Sequence, residues 1–498
     1  MKRTLSLLIM FLLVLSPFTA FAGSLGKGDP EGTPGQWYLG STPSYVDPAK
    51  SPIVFVHGLN SSATTWWVEN DMYDIAYNNG YETAFIDLYP TENMWDNGQL
   101  LASKLQDIYN HFGEKVVVVA HSKGGIDTQS ALVHYGAYPY VHRVITLSSP
   151  HHGSQLADLA YSSWAGWLGD ILGGKNNATY SLQTGYMATF RSQTDNHYNV
   201  NRVPFYTFGG TGWGSFGSSL YWGGLYLSSY GSNDGAVTVQ SSRLPYATEI
   251  AVRDWNHSEI REGSSTFNYF ESYLYEAGLH SLTSNIAEIS NDTAVSTYYR
   301  GGSYSNKTKE VFVVEDKVSE ITIDWMSDQK DTSLNLVAPD GKIYSTFSIE
   351  EDSTSVFAGA YHHSIQIPNP TPGEWRVEAQ SKKENYLLNV NFKDGVNHDL
   401  DVSISKLLDV TVQSNGNAFE KGKINTTISV EYYKNGKLKS QKVKLSNKDG
   451  EPKVSIPHLG EGIYNLTVDI EGKSAKGTSF NRTFVKSVFI DKDGNMIE

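Results

Sequence analysis

Cysteine is absent from the 498 residues, which removes disulfide staples, thiolate metal ligands and a cysteine nucleophile together. Positive charge is scarce beside negative. The 39 Lys and Arg against 53 Asp and Glu leave a formal charge of −14, which repels phosphate backbones and anionic head groups and sets nucleic acid aside as a partner. Past the N-terminus no apolar run approaches the roughly 20 residues that span a bilayer. Metal signatures are missing as well, with neither a D-x-D-x-D-G loop nor H-E-x-x-H spacing. No cofactor is expected, and a structural Ca2+ is left open without a motif. Aromatic residues, by contrast, are plentiful at 12%, enough apolar material for the cores of two to four domains at about 100 to 200 residues each.

The chain opens with Lys2 and Arg3, then an apolar run from Leu5 to Leu15, then Ala20 and Ala22 around Phe21. This order is that of a secretory signal cleaved after Ala22. The run is too short for a membrane anchor and is followed by Pro17. Residues 1–22 are therefore expected to be removed and the product to be secreted, extracellular and without a transmembrane anchor.

Composition changes near His280. Nine of the 11 tryptophans precede it and charge density rises after it. Residues 23–280 alternate short Val/Ile/Phe runs with helical patterns. Ile53–Val56, Thr83–Ile86, Val116–Val119, Val144–Leu147, Pro204–Phe208 and Glu249–Val252 suit buried parallel strands. Leu101, Leu105, Ile108 and Phe112 form one stripe of an amphipathic helix between the second and third runs. An α/β sheet covered by helices on both faces follows. Residues 281–307, rich in Ser, Thr, Asn and Gly, suit an exposed connector. Beyond them Ile321, Ile323 and Trp325 alternate with polar residues, as do Leu388, Val390 and Phe392, marking half-buried antiparallel strands. A weak repeat places Trp375 and Tyr464 in matching contexts, 89 positions apart, close to the roughly 100 residues of one β-sandwich. Two tandem sandwiches are expected, 308–395 and an Ig-like 396–498.

Directly after the third buried run comes Ala120-His121-Ser122-Lys123-Gly124-Gly125, leading into a helix-compatible stretch. A serine flanked by tiny residues at −2 and +2 is what a nucleophile elbow requires, because larger side chains would collide across the strained turn. The helix behind it aims backbone N–H groups at the site. A plain serine-capped, glycine-rich helix start is the alternative.

With alanine as its first small residue, this box resembles the A-x-S-x-G variant of secreted Bacillus lipases of the α/β-hydrolase family. Val56-His57-Gly58-Leu59-Asn60 is similar to the family's H-G-x oxyanion loop, and Leu147 to Ser154 to the stretch after its next strand. The resemblance covers residues 23–280. It implies that the backbone N–H groups of Leu59 and Lys123 form an oxyanion hole. Lys123 stands where the family leads one to expect Gln or Met, and its ammonium is expected to point into solvent.

The hydrolase order of Ser, then acid, then His leaves His197 and His257 as bases. His257, just beyond the last predicted strand, is the expectation, while His197 reads as a surface side chain. His151 and His152 fit the family's structural P-H-x-G turn. For the acid, Asn233-Asp234-Gly235 resembles the segment that supplies it in these lipases. Asp254 is the next candidate and Asp87 a third that breaks the chain order, and a turn without a chemical role is the alternative reading of Asp234.

Two aromatic stretches could set the substrate. Trp164, Trp167, Leu168 and Ile171 fall at helical spacing, and Trp222 and Tyr226 lie among glycines and serines, where a surface platform for an apolar chain or polymer is expected. The whole reads as a secreted lipase or carboxylesterase acting on triacylglycerol or similar lipid esters. A polyester depolymerase is the alternative within the same chemistry. A non-catalytic surface-binding protein on a hydrolase scaffold is the alternative from another class. The C-terminal domains, without a nucleophile and partner base, read as binding, spacing or stabilising modules for a surface or polymer. Their P-T-P-G-E-W stretch is similar to β-sandwich modules appended to secreted bacterial enzymes.

Overall fold

The computed structural model describes residues 32–165, 175–275, 295–352, 357, 359–414, 424–446 and 453–497. The expected secretory segment, residues 1–22, lies outside them. So do Trp167, Leu168 and Ile171 of the first aromatic stretch and residues 281–294 of the expected connector.

Most of the short apolar runs form strands because both of their faces are covered; the expected burial of Glu249–Val252 is corrected, since that run lies at one edge of the sheet with only Ala251 buried. Strands β1 (Trp37–Leu39), β2 (Ile53–Val56), β3 (Thr83–Ile86), β4 (Val116–His121), β5 (Val141–Leu147), β6 (Phe205–Gly210) and β7 (Thr248–Arg253) make one sheet in the order β1-β3-β2-β4-β5-β6-β7. Every neighbouring pair is parallel except β1 with β3. Every residue of β2, β3 and β4 is buried, the expected state for parallel strands roofed by helices. The described α-helices of this half are α1 (Met72–Asn78), α2 (Met94–Phe112), α3 (Lys123–Val133), α4 (Gln155–Ala160), α5 (Asn177–Ser181), α6 (Thr184–Thr194), α7 (Ser219–Leu227), α8 (Val239–Ser242) and α9 (Gly263–Phe270). The Asn93 side chain caps α2 by accepting from the Trp95 and Asp96 amides, and Gly113 ends it in the left-handed region. Leu101, Leu105 and Ile108 are buried on its inner stripe, as their spacing predicts.

After Val295 the chain is strand-rich and antiparallel. Strands β8 (Thr297–Val314), β9 (Val318–Ser327), β10 (Ser333–Val337), β11 (Ile343–Tyr344), β12 (Ser348–Glu351), β13 (Tyr361–Pro368) and β14 (Gly373–Asp394) come first. Of these β8 and β14 are long partners, and β9 lies between β14 and β13. Then follow β15 (Leu400–Ile404), β16 (Asp409–Ser414), β17 (Asn425–Lys434), β18 (Lys437–Ser446), β19 (Lys453–Ser455), β20 (Gly462–Lys473) and β21 (Ser479–Ile490). Strands β17, β20 and β21 are neighbours in a second large sheet. Part of the expected connector is thereby corrected: Thr297–Lys307 is strand, because β14 continues far enough to pair with it.

Strict alternation also fails on β9. Asp324 and Met326 are buried along with Ile321, Ile323 and Trp325, since the second face of β9 turns towards the α/β half. Met326, Phe357, Tyr433 and Val485 share one apolar cluster with Leu156, Trp222 and Tyr226. Gly185 at the start of α6 lies so close to β21 that a Cβ there would sit 2.6 Å from the Val488 carbonyl carbon. The Tyr230 hydroxyl donates to the Val485 carbonyl at 2.7 Å.

The platform expected at Trp222 and Tyr226 is therefore not a surface. Both are buried beneath the C-terminal strands, Trp222 against Phe357 and His362, Tyr226 against Tyr299. Glycines that read as poor core serve close packing: a Cβ on Gly223 would collide with the Gly235 carbonyl. Among the described residues no helix is long and apolar enough to cross a membrane.

Candidate active site

Between β4 and α3 the chain reverses at Ser122, whose φ of 53° is the left-handed region that a non-glycine residue enters only under strain. The glycines behind it make room. A Cβ on Gly124 would meet the His57 and Val56 carbonyls, and one on Gly58 would stand 2.8 Å from the Ser122 Cβ. The serine is thus lifted to the carboxyl edge of the sheet, where the loops after β2, β6 and β7 meet.

His257, in the loop after β7, is placed so that its Nε2 lies 3.1 Å from Ser122 Oγ. Its Nδ1 lies 2.7 Å from Asp234 Oδ2. Asp234 is fully buried and its charge is met on every side. Oδ1 accepts from the Ala236 and Val237 amides at 2.9 and 2.7 Å, and Oδ2 also accepts from the Ser148 hydroxyl. The His257 amide donates to the Asp234 carbonyl at 2.9 Å, so main chain and side chain are held together. The other acid candidates stand elsewhere. Asp254 is exposed, and Asp87 is engaged by the Thr33 and Ala63 amides and the Tyr38 hydroxyl.

His121 stands inside the serine box, yet no pattern in the sequence assigns it a role. Its Nε2 donates to the His257 carbonyl at 2.9 Å. Burial holds its basicity well below the ordinary imidazole range, and the His257 ring beside it adds to this. It is thus a neutral side chain that pins the backbone of its neighbour. Ser148 carries no sequence signal either; it follows β5 with a φ of 49°, a conformation that no local pattern announces. His151 is fully buried near Thr146, in agreement with a structural role, and His197 lies against His134 and Tyr198.

On the opposite side of Ser122 lies the loop after β2. His57 is pushed down to about 4 by burial and is neutral. Its Nε2 accepts from the Leu88 amide at 2.9 Å, so the ring proton sits on Nδ1 and is donated to the Gly58 carbonyl at 2.8 Å. Across a trans peptide C=O and N–H point in opposite directions, which turns the Leu59 N–H away from His57. The neighbouring amides of Asn60 and Ser122 donate to the Pro90 and Leu147 carbonyls. Those of Leu59 and Lys123 donate to no such carbonyl among the described residues.

The Lys123 side chain departs from expectation. Instead of reaching solvent it is buried, with Nζ bound to both carboxylate oxygens of Asp127 at 2.7 and 2.8 Å. The reason is geometric. A side chain one residue into α3 points into the protein, and Asp127 one turn later supplies the counter-charge.

Ser122 and His257 open onto a cavity of about 240 Å³, lined by Leu59, Leu156, Leu182, Leu220 and Val237 together with polar side chains such as Asn60, Ser154 and Arg261. Trp222 and Tyr226 do not line it. Among the described residues no cluster of three or more His, Asp or Glu is arranged to hold a metal.

A mostly parallel sheet with helices on both sides, a strained serine after β4 and a histidine after β7 define an α/β hydrolase. A model of the PGAP1-like alpha/beta domain matches residues 92–163. Bacillus licheniformis lipase BlEst2 in its propeptide form is 42% identical, with a TM-score of 0.83 over 94% of this chain and all of that one. The chain therefore belongs to the family of that lipase and is a lipase/esterase-like hydrolase. The mature form of the same lipase is 58% identical over 49% of this chain and all of its own, with a TM-score of 0.47. A metagenomic carboxyl esterase, MGS0156, is 21% identical over 49% of this chain and 77% of its own, with a TM-score of 0.36. No curated protein matches the chain.

Proposed function

We propose that the protein is a secreted carboxylic-ester hydrolase of lipid esters that works through an acyl-enzyme on Ser122. The observation that carries this is the unbroken line from Ser122 Oγ through His257 to Asp234 at the mouth of an apolar-walled cavity. Ser122 Oγ attacks the ester carbonyl carbon while His257 Nε2 takes its proton. Asp234 holds the Nδ1–H tautomer and stabilises the imidazolium without accepting its proton. The Leu59 and Lys123 amides receive the oxyanion, each such donor being worth about 3 to 4 kcal/mol. As the tetrahedral species collapses, His257 gives its proton to the leaving alkoxide. A water then repeats the sequence and frees the acid and Ser122. The leucine side chains of the cavity suit an acyl chain.

The strand-rich C-terminal half we read as a propeptide. The relative that matches along its whole length is described as a propeptide form, and here the C-terminal strands are packed on the hydrolase half through a shared apolar cluster. Mass spectrometry of the protein recovered from culture medium is expected to find a product close to half the 55.1 kDa chain; only full-length chain would count against processing.

Turnover of p-nitrophenyl esters of increasing acyl length, beside triglyceride emulsion and polyhydroxybutyrate granules, tests the substrate class. Hydrolysis of soluble and lipid esters is expected. Activity confined to the granules would favour a depolymerase.

A further inference from the structure

An ion pair is hidden directly behind the nucleophile. Lys123 follows Ser122 in sequence, yet its side chain and that of Asp127 are 1% and 3% exposed. Asp127 Oδ2 also accepts from Asn97 Nδ2 on α2 at 3.0 Å. Asn97 in turn clasps the main chain of Tyr89 from both sides, accepting from its N–H and donating to its carbonyl, each at 3.0 Å. The residues flanking Tyr89 hold the loop after β2. The Leu88 amide donates to His57 Nε2 at 2.9 Å, and the Asn60 amide donates to the Pro90 carbonyl at 3.0 Å. A continuous polar line thus joins the first turn of α3, which carries the Lys123 amide, to residues 57–60, which carry the Leu59 amide.

We propose that Lys123, Asp127 and Asn97 act as a positioning unit that fixes the two oxyanion donors relative to one another. The proposal rests on the acyl-enzyme reading above. Leu59 and Lys123 belong to different elements, and no single helix or strand sets their separation. Stabilisation of a developing oxyanion requires donors already in place, and small misplacements are costly in rate. Stability alone does not call for this arrangement, because a buried ion pair is commonly matched or bettered by an apolar pair of similar volume. Pairing also leaves the cation neutralised, so that it fixes geometry without adding net charge beside Ser122. None of the three side chains touches the cavity, so each would act through the backbone it holds.

The test is Lys123→Met/Asp127→Leu in the full chain, a change that preserves stem and volume and removes both charges. Steady-state kinetics on a soluble short-chain p-nitrophenyl ester are measured beside the affinity of an alkyl boronic acid, which forms a tetrahedral adduct with a reactive serine. The kcat is expected to fall about 10- to 100-fold with KM unchanged, and the boronate to weaken by a similar factor at a near-parental thermal midpoint. Parental kcat and boronate affinity would overturn the proposal. Should the double variant not fold, Asn97→Ala cuts the same line and leaves the ion pair intact. The same losses are expected there, and parental values would likewise overturn it. A parent chain that turns over no ester and takes up no boronate would strike the functional reading itself.

Discussion

The imidazole of His362 lies against the indole of Trp222 with ring centroids 5.3 Å apart, which joins the C-terminal sheet to the helix whose Leu220 walls the candidate cavity. Helix α7 faces both ways. On its inner side Gly223 and Leu220 pack against Gly235, next to Asp234. On its outer side Trp222 and Tyr226 are covered by the C-terminal strands.

Replacing Trp222 by alanine should therefore act on stability before substrate choice. Loss of a fully buried aromatic side chain costs about 3 to 5 kcal/mol. Denaturant unfolding of the full chain should show that loss, and any fall in turnover should be the same for short and long acyl chains. A selective loss on long chains, with stability intact, would restore the surface-platform reading.

His362 sets an alkaline limit. Both ring nitrogens face carboxylates, Asp324 at 2.9 Å and Asp352 at 2.8 Å, so both carry protons to donate. Although burial opposes the charge, the two carboxylates prevail and raise this histidine to about 10. A raised folded-state value means that its stabilisation is complete below the unfolded value of about 6.5 and is lost as pH rises through about 10. Thermal midpoints should decline across that window in the parent and more gently in His362→Gln. Parallel curves would contradict the assignment.

The acidic side has the opposite sign. His57 is depressed to about 4, so the unfolded chain takes up a proton first as pH falls below about 6.5, and native stability drops until about pH 4 by an amount on the order of a few kcal/mol. His57→Gln should flatten the stability profile between these limits. A profile as steep as the parent's would assign the acid lability to other groups.

Asp234→Asn should lower ester turnover by about 10⁴-fold with an unchanged circular dichroism spectrum. The exposed Asp254→Asn should stay near the parent. The reverse pattern would move the acid to Asp254.

Much of this arrangement is legible in the chain. Runs such as Val116–Val119 declare a strand buried on both faces, and the resemblance to secreted Bacillus lipases points to Ser122, Asp234 and His257 in that order, side chains that the fold brings within hydrogen-bond reach of one another. Other features depend on partners too distant to pair by inspection. Lys123 reads as solvent-facing because its buried partner Asp127 and the Asn97 side chain that braces Asp127 announce themselves by no local pattern. Trp222 and Tyr226 look exposed among glycines because the residues that bury them, Phe357, His362 and Tyr299, belong to the other half of the chain. Thr297–Lys307 has the composition of a loop and becomes strand only because β14 extends alongside it.

Labelling of the full chain with a fluorophosphonate, followed by peptide mapping, reaches the core of the mechanism most directly. A single phosphonyl adduct on Ser122 is expected, absent in Ser122→Ala together with all ester turnover. An adduct on another residue, or turnover that survives Ser122→Ala, would contradict it.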